Sequence, residues 1–335
     1  MLDLLARPTI ASKRWVWEQY DHQILTNTVI LPGGDAALMR VKGTTKGLGI
    51  TTDCNGLYCY VDPYRGGKIA VAEAARNLAC VGARPMGVTD CLNFGNPEKS
   101  DVAWQFSEAV RGIAEACEFF NAPVISGNVS FYNESPVAAV YTTPVIGMLG
   151  LMEDIDKRVE VGFKASGDTV ILLGDLAPKG ASLGASEYAR MKLGEPTGPC
   201  PDIDLTVEKR LHDLMLGLIE SGLLQSAHDL SEGGLAVAAA ECCLKGGIGA
   251  SLELEGADSM TETVMPLFNE AQSRILVSCT AGSAASVVRR AIEVGVPAAI
   301  LGTVGGDALA IGSCKATLAE MSEAYEGSIP RIMNS

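Results

Sequence analysis

The stretch from Asp101 to Phe120 constrains the fold of this chain more than any other. Val102, Phe106, Val110, Ile113, Cys117 and Phe120 recur at three- and four-residue intervals, the spacing of a helix with one buried face. Short apolar runs flank it, Met86–Thr89 before and Pro123–Ile125 after, and both read as strands. Neighbouring strands joined by a right-handed crossover helix run parallel, so their carboxyl ends lie on one edge. Asp90 follows the first strand and Ser126-Gly127-Asn128-Val129-Ser130 the second, so Asp90 and Gly127–Ser130 are expected to face one crevice. Ligands of such sheets bind outside the carboxyl ends of the strands. An Asp carboxylate and an Asn carbonyl are hard oxygen donors suited to Mg²⁺, which usually arrives with phosphate. Gly127 would let a phosphate approach the backbone, and Ser130 offers a hydroxyl to a polar substrate. The same residues also fit a plain turn at Gly127-Asn128 capped by Asp90.

Strands and helices alternate along the rest of the chain. An amphipathic arm with two of the three tryptophans, Trp15 and Trp17, occupies residues 1–25. Strand-like runs follow at Ala37–Val41 and Gly49–Thr52, then a helix over Ile69–Val81 with Gly82 as its C-cap. A third apolar run, Thr143–Leu151, precedes the charged segment Glu153–Arg158, where a domain boundary is expected. Beyond it lie a strand at Thr169–Leu173, a Gly-rich stretch to Ser186 and a loop with Pro196, Pro199 and Pro201. A helix over Val207–Ser221 buries Leu211, Leu214 and Leu218, and an Ala-rich helix follows His228–Leu235. Strands at Ala250–Leu254 and Arg274–Cys279, a helix near 283–294 and a strand at Ala298–Val304 complete the pattern. The expected fold is α/β (α+β), with a first domain over 26–155 and a second over 165–330. A length of 335 residues agrees with two domains at roughly 100–200 residues each.

Composition narrows the partners. Asp and Glu outnumber Lys and Arg by 40 to 26, giving a formal charge of −14. Such a surface repels nucleic acid and anionic lipid, so neither is an expected partner. The ten cysteines form no CxxC pair, most lie in apolar runs, and three histidines give a zinc site little to draw on. Reduced thiols, no basic-then-apolar leader and no window near the ~18 apolar residues of a membrane span point to a soluble cytoplasmic protein. No GxxxxGK[ST], no strand-borne GxGxxG and no HExxH occur. Other candidates carry two readings each. Asp53 is a metal carboxylate or a strand-end residue, and Asp35 a phosphate-loop acid or part of a hairpin. His228-Asp229 resembles half a catalytic dyad, although neighbours on a turn rarely face each other. His22 and His212 read as surface or helix-face residues.

Several segments resemble a known family. They are Ile-Ala-Ser-Lys-Arg-Trp-Val (10–16), Gln-Tyr-Asp-His (19–22), Glu-Ala-Ala-Arg-Asn-Leu (73–78) and Gly-Ala-Arg-Pro (82–85). More distinctive are Thr-Asp-Cys-Leu-Asn-Phe-Gly-Asn-Pro-Glu (89–98) and Ser-Gly-Asn-Val-Ser-Phe-Tyr-Asn-Glu (126–134). Together they resemble the C-terminal half of the small-type phosphoribosylformylglycinamidine synthases, the PurL family of the PurM superfamily. The likeness runs from about residue 7 to the end. It implies a PurM-like N-terminal domain followed by a PurM-like C-terminal domain. It also implies a ligase that uses ATP, Mg²⁺ and ammonia from glutamine to turn the formyl amide of FGAR into the amidine FGAM. By this resemblance Asp90 and Gly127 contact ATP, Asn128 binds Mg²⁺ and Ser130 contacts the substrate. The implied partners are the synthase's N-terminal half, a glutaminase and a small accessory subunit.

One departure from the family is large. Its first half carries a Glu-Ser-His-Asn-His-Pro-type segment with the catalytic base and a Mg²⁺-binding Glu. The matching place here reads Asp53-Cys54-Asn55-Gly56, and a metal-ligand Asp of the first half corresponds to Asn77. Asn55 cannot exchange a proton near neutral pH. The resemblance therefore implies part of one active site, a degenerate second site, and an isolated chain without synthase activity. It further implies either a piece of a longer synthase or the product of a divided gene, and a homodimer when isolated. A non-catalytic nucleotide-binding or scaffolding homodimer is the alternative, and a free-standing ATP enzyme of the superfamily is a third.

Overall fold

The computed structural model describes residues 1–178, 180–254, 260–312 and 314–335. The first sheet holds β1 (Thr28–Ile30), β2 (Ala37–Arg40), β3 (Gly47–Asp53), β4 (Arg84–Asn93), β5 (Val124–Ser130) and β6 (Thr143–Met152). Their order is β1-β2-β3-β6-β4-β5, antiparallel except for the parallel pair β4–β5. The crossover between them has the expected form, but both strands are longer than the apolar runs implied. β4 continues past Asp90, and Gly127-Asn128 lies inside β5, so the turn reading of that dipeptide fails. β5 is a solvent-exposed edge strand, which removes the apolar alternation that marks a half-buried strand.

Two short helices, α1 (Leu2–Leu5) and α2 (Arg14–Trp17), lie in the arm, and α3 (Gly56–Val61) follows β3. Two long helices, α4 (Pro63–Val81) and α5 (Ser100–Phe120), cover one face of the sheet. α4 starts at Pro63, nearly two turns before the Ile69 at which its apolar pattern begins. The Asp62 side chain caps Arg65 N–H, Pro63 occupies the first turn, and Gly82 (φ 91°) closes the helix in the left-handed region. The glycines that weaken the helical pattern there have a packing use. A Cβ on Gly67 would lie 2.6 Å from the Ala109 carbonyl oxygen, and one on Gly112 would lie 2.0 Å from that of Tyr64. The two helices therefore meet backbone to backbone. Small residues Ala109, Gly112 and Ala116 share the buried face of α5 with Val102, Ile113 and Cys117, while Val110 is exposed.

The second sheet is built from β7 (Thr169–Leu173), β8 (Ser226–Asp229), β9 (Ala250–Leu252), β10 (Ile275–Cys279), β11 (Ala298–Val304), β12 (Ala308–Ile311) and β13 (Cys314–Thr317). Its order is β13-β12-β9-β11-β7-β10-β8. The helices of this half are α6 (Glu187–Leu193), α7 (Leu205–Glu220), α8 (Gly234–Gly246), α9 (Met260–Phe268), α10 (Ala284–Glu293) and α11 (Leu318–Met333). The sequence pattern does not indicate α6, α9, β12, β13 or α11; α11 opens with a capping box between Thr317 and Glu320. The arm packs onto this half through Leu4, Leu5 and Ile10, in one core with Met321 and Tyr325 of α11. Its tryptophans are only half-buried. Another core runs from Leu78 and Val81 of α4 to Leu211, Met215 and Leu218 of α7 and Val277 of β10. The face of the first sheet opposite α4 and α5 stays open, with Ile50 and Leu149 as exposed cross-strand partners.

Candidate functional site

The parallel pair sets Asp90 beside Gly127, Cys91 beside Asn128 and Asn93 beside Ser130. All four candidate residues thus lie side by side on two adjacent strands, the edge strand β5 and its inner neighbour β4, with Asp90 and Gly127 three residues before the carboxyl ends. Side chains alternate along a strand, however, and this divides them between the two faces. A Cβ on Gly127 would sit 1.9 Å from Asp90 Oδ1, so only glycine fits there and Asp90 occupies the helix-covered side. The Cys117 thiol of α5, pushed up to about 11 chiefly by burial, also feels the Asp90 charge. Asn128 and Ser130 stand on the open face, where Asn128 Nδ2 approaches Ser130 Oγ at 3.4 Å and Ser126 Oγ donates to Thr89 Oγ1 at 2.8 Å. The expected single crevice is therefore two faces of one free edge. Partial burial raises the Asp90 carboxyl above its ordinary value. Beyond the edge, Asn133 Nδ2 ties the chain back to the carbonyls of Ser130 (2.7 Å) and Phe94 (3.0 Å).

A second polar site lies in a crevice of about 490 Å³ between the two sheets, walled by the arm, α4 and β8. Asn55 caps α3 with its Oδ1 and donates from Nδ2 to Glu232 at 2.9 Å. Asn77 donates to Asp53 at 2.8 Å, and Thr51 Oγ1 donates to the other Asp53 oxygen at 2.9 Å. Burial pushes Asp53 up to about 8 and Asp229 to about 7, the latter against the pull of Arg76. Arg76 is wholly buried. It meets Glu208 at 2.6 Å, Asp229 at 3.3 Å and Gln272 at 3.2 Å, joining α4 to α7, β8 and the chain before β10. Burial alone would raise Glu208, but Arg76, His212 and Ser273 hold it down at about 2.

His228 and Asp229 do not form a dyad. The His228 ring lies between Asp35 (Nδ1–Oδ1, 2.7 Å) and Glu241 (Nε2–Oε2, 3.0 Å), while Asp229 turns to Arg76. Burial opposes the His228 charge, yet the Asp35 carboxylate and the two hydrogen bonds carry its pKa well above the ordinary value. A ring held as imidazolium donates from both nitrogens and cannot accept a proton. His22 is half-buried with its ring edge-to-face against Trp17, whereas His212 is buried against Phe120 and bonded to Glu208 at 3.0 Å. Asp35, His228 and Asp229 place potential ligand atoms within 4.8 Å of one another. Asp35 Oδ2 and Asn77 Oδ1 are buried oxygens without a hydrogen-bond partner. With His228 held as imidazolium, only the carboxylate and amide oxygens of this group are of a kind that can hold a hard cation. Glu73, Arg76, Glu208 and Glu232 escaped the sequence reading. Its one signal was the polar trio Glu73, Arg76 and Asn77 within an Ala-rich helix.

The model for AIR synthase related protein, N-terminal domain, matches residues 33–152, and the one for the C-terminal domain matches 165–313. The chain belongs to the AIR synthase related family. It is also a homologue of PurL. The phosphoribosylformylglycinamidine synthase subunit PurL of Moorella thermoacetica is 51% identical over 338 residues, covering 99% of this chain and 45% of that one. The PurL subunit of Alkaliphilus metalliredigens is 47% identical over 337 residues, with the same coverage. The chain thus spans less than half the length of the curated relatives it matches. Thermotoga maritima PurL complexed with FGAR shares the fold, with a TM-score of 0.75 at 18% identity, over 97% of this chain and 54% of that one. Among the described residues, no helix is long and apolar enough to cross a membrane.

Proposed function

We propose that the chain acts as one half of a cytoplasmic phosphoribosylformylglycinamidine synthase, completing an ATP–Mg²⁺–FGAR site with a second half that carries the catalytic His. The observation that supports this reading is the 51% identity to PurL over nearly the whole chain but under half of the relative. In this reading Asp90 and Gly127 contact ATP, Asn128 binds Mg²⁺ and Ser130 contacts FGAR. The residues are compatible with such a ligand: Gly127 lies on an exposed edge strand with Asp90 packed against it, and the exposed Asn128 and half-buried Ser130 are polar groups joined only by one long hydrogen bond. Because Asp90 and Asn128 stand on opposite faces, a ligand touching both must straddle the edge of β5. Bound ATP supplies the phosphoryl group that makes an amide oxygen a leaving group, and Mg²⁺ offsets the phosphate charge. A glutaminase and a small accessory subunit would deliver the ammonia.

Within the crevice, Asn55 is spent on its helix cap and on Glu232, and His228 is held between two carboxylates. Neither can take a proton from an attacking ammonia, so the isolated chain is expected to be inactive. The exposed Ile50–Leu149 face favours pairing with the second half or, in its absence, with a copy of the chain. The test is FGAM formation from FGAR, ATP, Mg²⁺ and ammonia by the chain alone, the His-bearing half alone, and the two together. Turnover only in the mixture is expected; turnover by the chain alone would overturn the reading. A mixture that associates yet stays inactive would favour the scaffolding homodimer.

A further inference from the structure

At the end of the first sheet opposite Gly127–Ser130, a cavity of about 430 Å³ opens between the starts of β4 and β5 and helix α7. Its size is that of a small-molecule site. Pro85, Met86 and Phe120 give it an apolar wall. His212 also lines it, only 4% exposed, with its ring tilted 32° to that of Phe120 and the centroids 5.3 Å apart. His212 Nε2 is bonded to Glu208, whose carboxyl is held down at about 2 and so accepts; Nε2 therefore carries the hydrogen. Nδ1 makes no hydrogen bond among the described residues, yet it is not sealed from solvent. Arg84 and Lys209, both exposed, complete the lining and share one carboxylate. Lys209 Nζ donates to Asp213 Oδ2 at 3.2 Å, while Arg84 Nη1 reaches Asp213 Oδ1 only as an ion pair at 3.6 Å. The Arg84 guanidinium makes no hydrogen bond among the described residues, so donors are in excess. In a chain of −14 formal charge, two cations line this cavity against one carboxylate.

We propose that this cavity binds a phosphate monoester whose ester group is small and apolar. The Arg84 fork and the Lys209 ammonium supply the charge-assisted donors that phosphate oxygens take. His212 favours phosphate over carboxylate. With Nε2–H committed to Glu208, Nδ1 presents a lone pair when the ring is neutral and an N–H when it is charged. A singly ionised phosphate monoester donates its hydroxyl to the lone pair, and a doubly ionised one accepts from the N–H. A carboxylate can only accept. The apolar group covers Phe120, Pro85 and Met86, the last 51% exposed, and takes that surface out of water. The ring that meets the phosphate at Nδ1 holds Glu208 at Nε2, and Glu208 in turn accepts from Arg76. Hydrogen bonds thus join an occupied cavity to the network behind the crevice.

Phenyl phosphate is the probe, and the three histidines, His22, His212 and His228, report where it binds. The chain is labelled in its histidine rings and titrated at constant pH, followed by nuclear magnetic resonance. The His212 signal is assigned by its contact with the Phe120 ring. The expected result is a saturable shift at His212, with His22 and His228 unmoved. Arg84→Ala and Lys209→Ala, both at exposed positions, should each weaken binding about tenfold. Asp213→Asn removes the competing carboxylate and should strengthen it. Inorganic phosphate and benzoate should each bind more weakly than phenyl phosphate. No saturable shift at His212, equal shifts at all three histidines, or unchanged affinity in both cation variants would overturn the site. Benzoate equal to phenyl phosphate would overturn the phosphate, and inorganic phosphate equal to it would overturn the apolar group. Thermal unfolding confirms that each variant is folded.

Discussion

The crevice and the free strand edge handle polar groups in opposite ways. In and behind the crevice most polar side chains are engaged with one another, although Asp35 Oδ2 and Asn77 Oδ1 have no partner. Arg76 is shared among Glu208, Asp229 and Gln272, His228 sits between Asp35 and Glu241, and Asp53 is held by Thr51 and Asn77. At the edge, Asn128 meets Ser130 only at 3.4 Å, and the two side chains are otherwise exposed and half-buried, respectively. Buried groups that satisfy one another hold the fold together, because removing one leaves its partner charged and unsolvated. Exposed groups with spare capacity add little to folding and are available to a ligand. Substitutions should therefore cost stability in the crevice and binding at the edge.

Arg76→Ala is the sharpest way to break this contrast. It strands Glu208 and Asp229 in the interior and should cost about 3–5 kcal/mol, read as a lower urea midpoint. An unchanged midpoint would mean that the two regions do not differ in this respect. Glu270, behind the crevice, comes next. Burial pushes its carboxyl up to about 8, although Tyr58 and the N–H groups of Gly233 and Glu187 bond to it. A raised carboxyl favours the folded state while protonated, so its contribution is complete below its unfolded pKa near 4.5 and is lost as pH climbs toward about 8. Glu270→Gln should flatten the fall in stability between pH 5 and 8 by a few kcal/mol; parallel profiles for both proteins would contradict this assignment.

Asp90→Asn in the complete enzyme should weaken ATP affinity roughly ten- to a hundredfold, the loss of about 1.5–3 kcal/mol from one charge-assisted contact. The melting temperature should hardly move, because the neutral side chain relieves the partial burial of the carboxylate. Asn128→Ala should act on the same step, and the double variant should be less than additive. A lower melting temperature with unchanged ATP affinity would transfer Asp90 to the structural side of the comparison. Ser126→Ala removes an exposed hydroxyl pair with Thr89 and should change stability by less than about 0.5 kcal/mol. A larger loss would show that the open face is more tightly organised than its exposure indicates.

The sequence was legible where burial imposes a period. Thr169–Leu173, central in its sheet and buried at every position, appears with the bounds its apolar run implied. The α5 pattern was sound except at Val110, because small residues rather than large ones face α4. β5 was cut short because an exposed edge strand need not alternate apolar with polar residues. The β4–β5 crossover brought Asp90 and Gly127–Ser130 onto adjacent strands, yet their division between faces follows from the alternation of side chains along strands that run on past the apolar runs. The crevice was hidden for another reason. Asp35, Arg76, Glu208 and Asp229 come from distant segments, and no local spacing records that they meet.

The glycine contact between α4 and α5 has a mechanical meaning. Helices that touch through long side chains can slip past one another as those side chains change rotamer; helices that touch through backbone carbonyls have nothing to rearrange. Tyr64 against Gly112 and Gly67 against Ala109 act as two pins through one hinge plate. α4 carries Glu73 and Asn77 on the crevice wall, and α5 connects directly to the strand that bears Gly127. The edge strand and the crevice wall are therefore joined through a helix pair whose contact leaves little room for side-chain rearrangement.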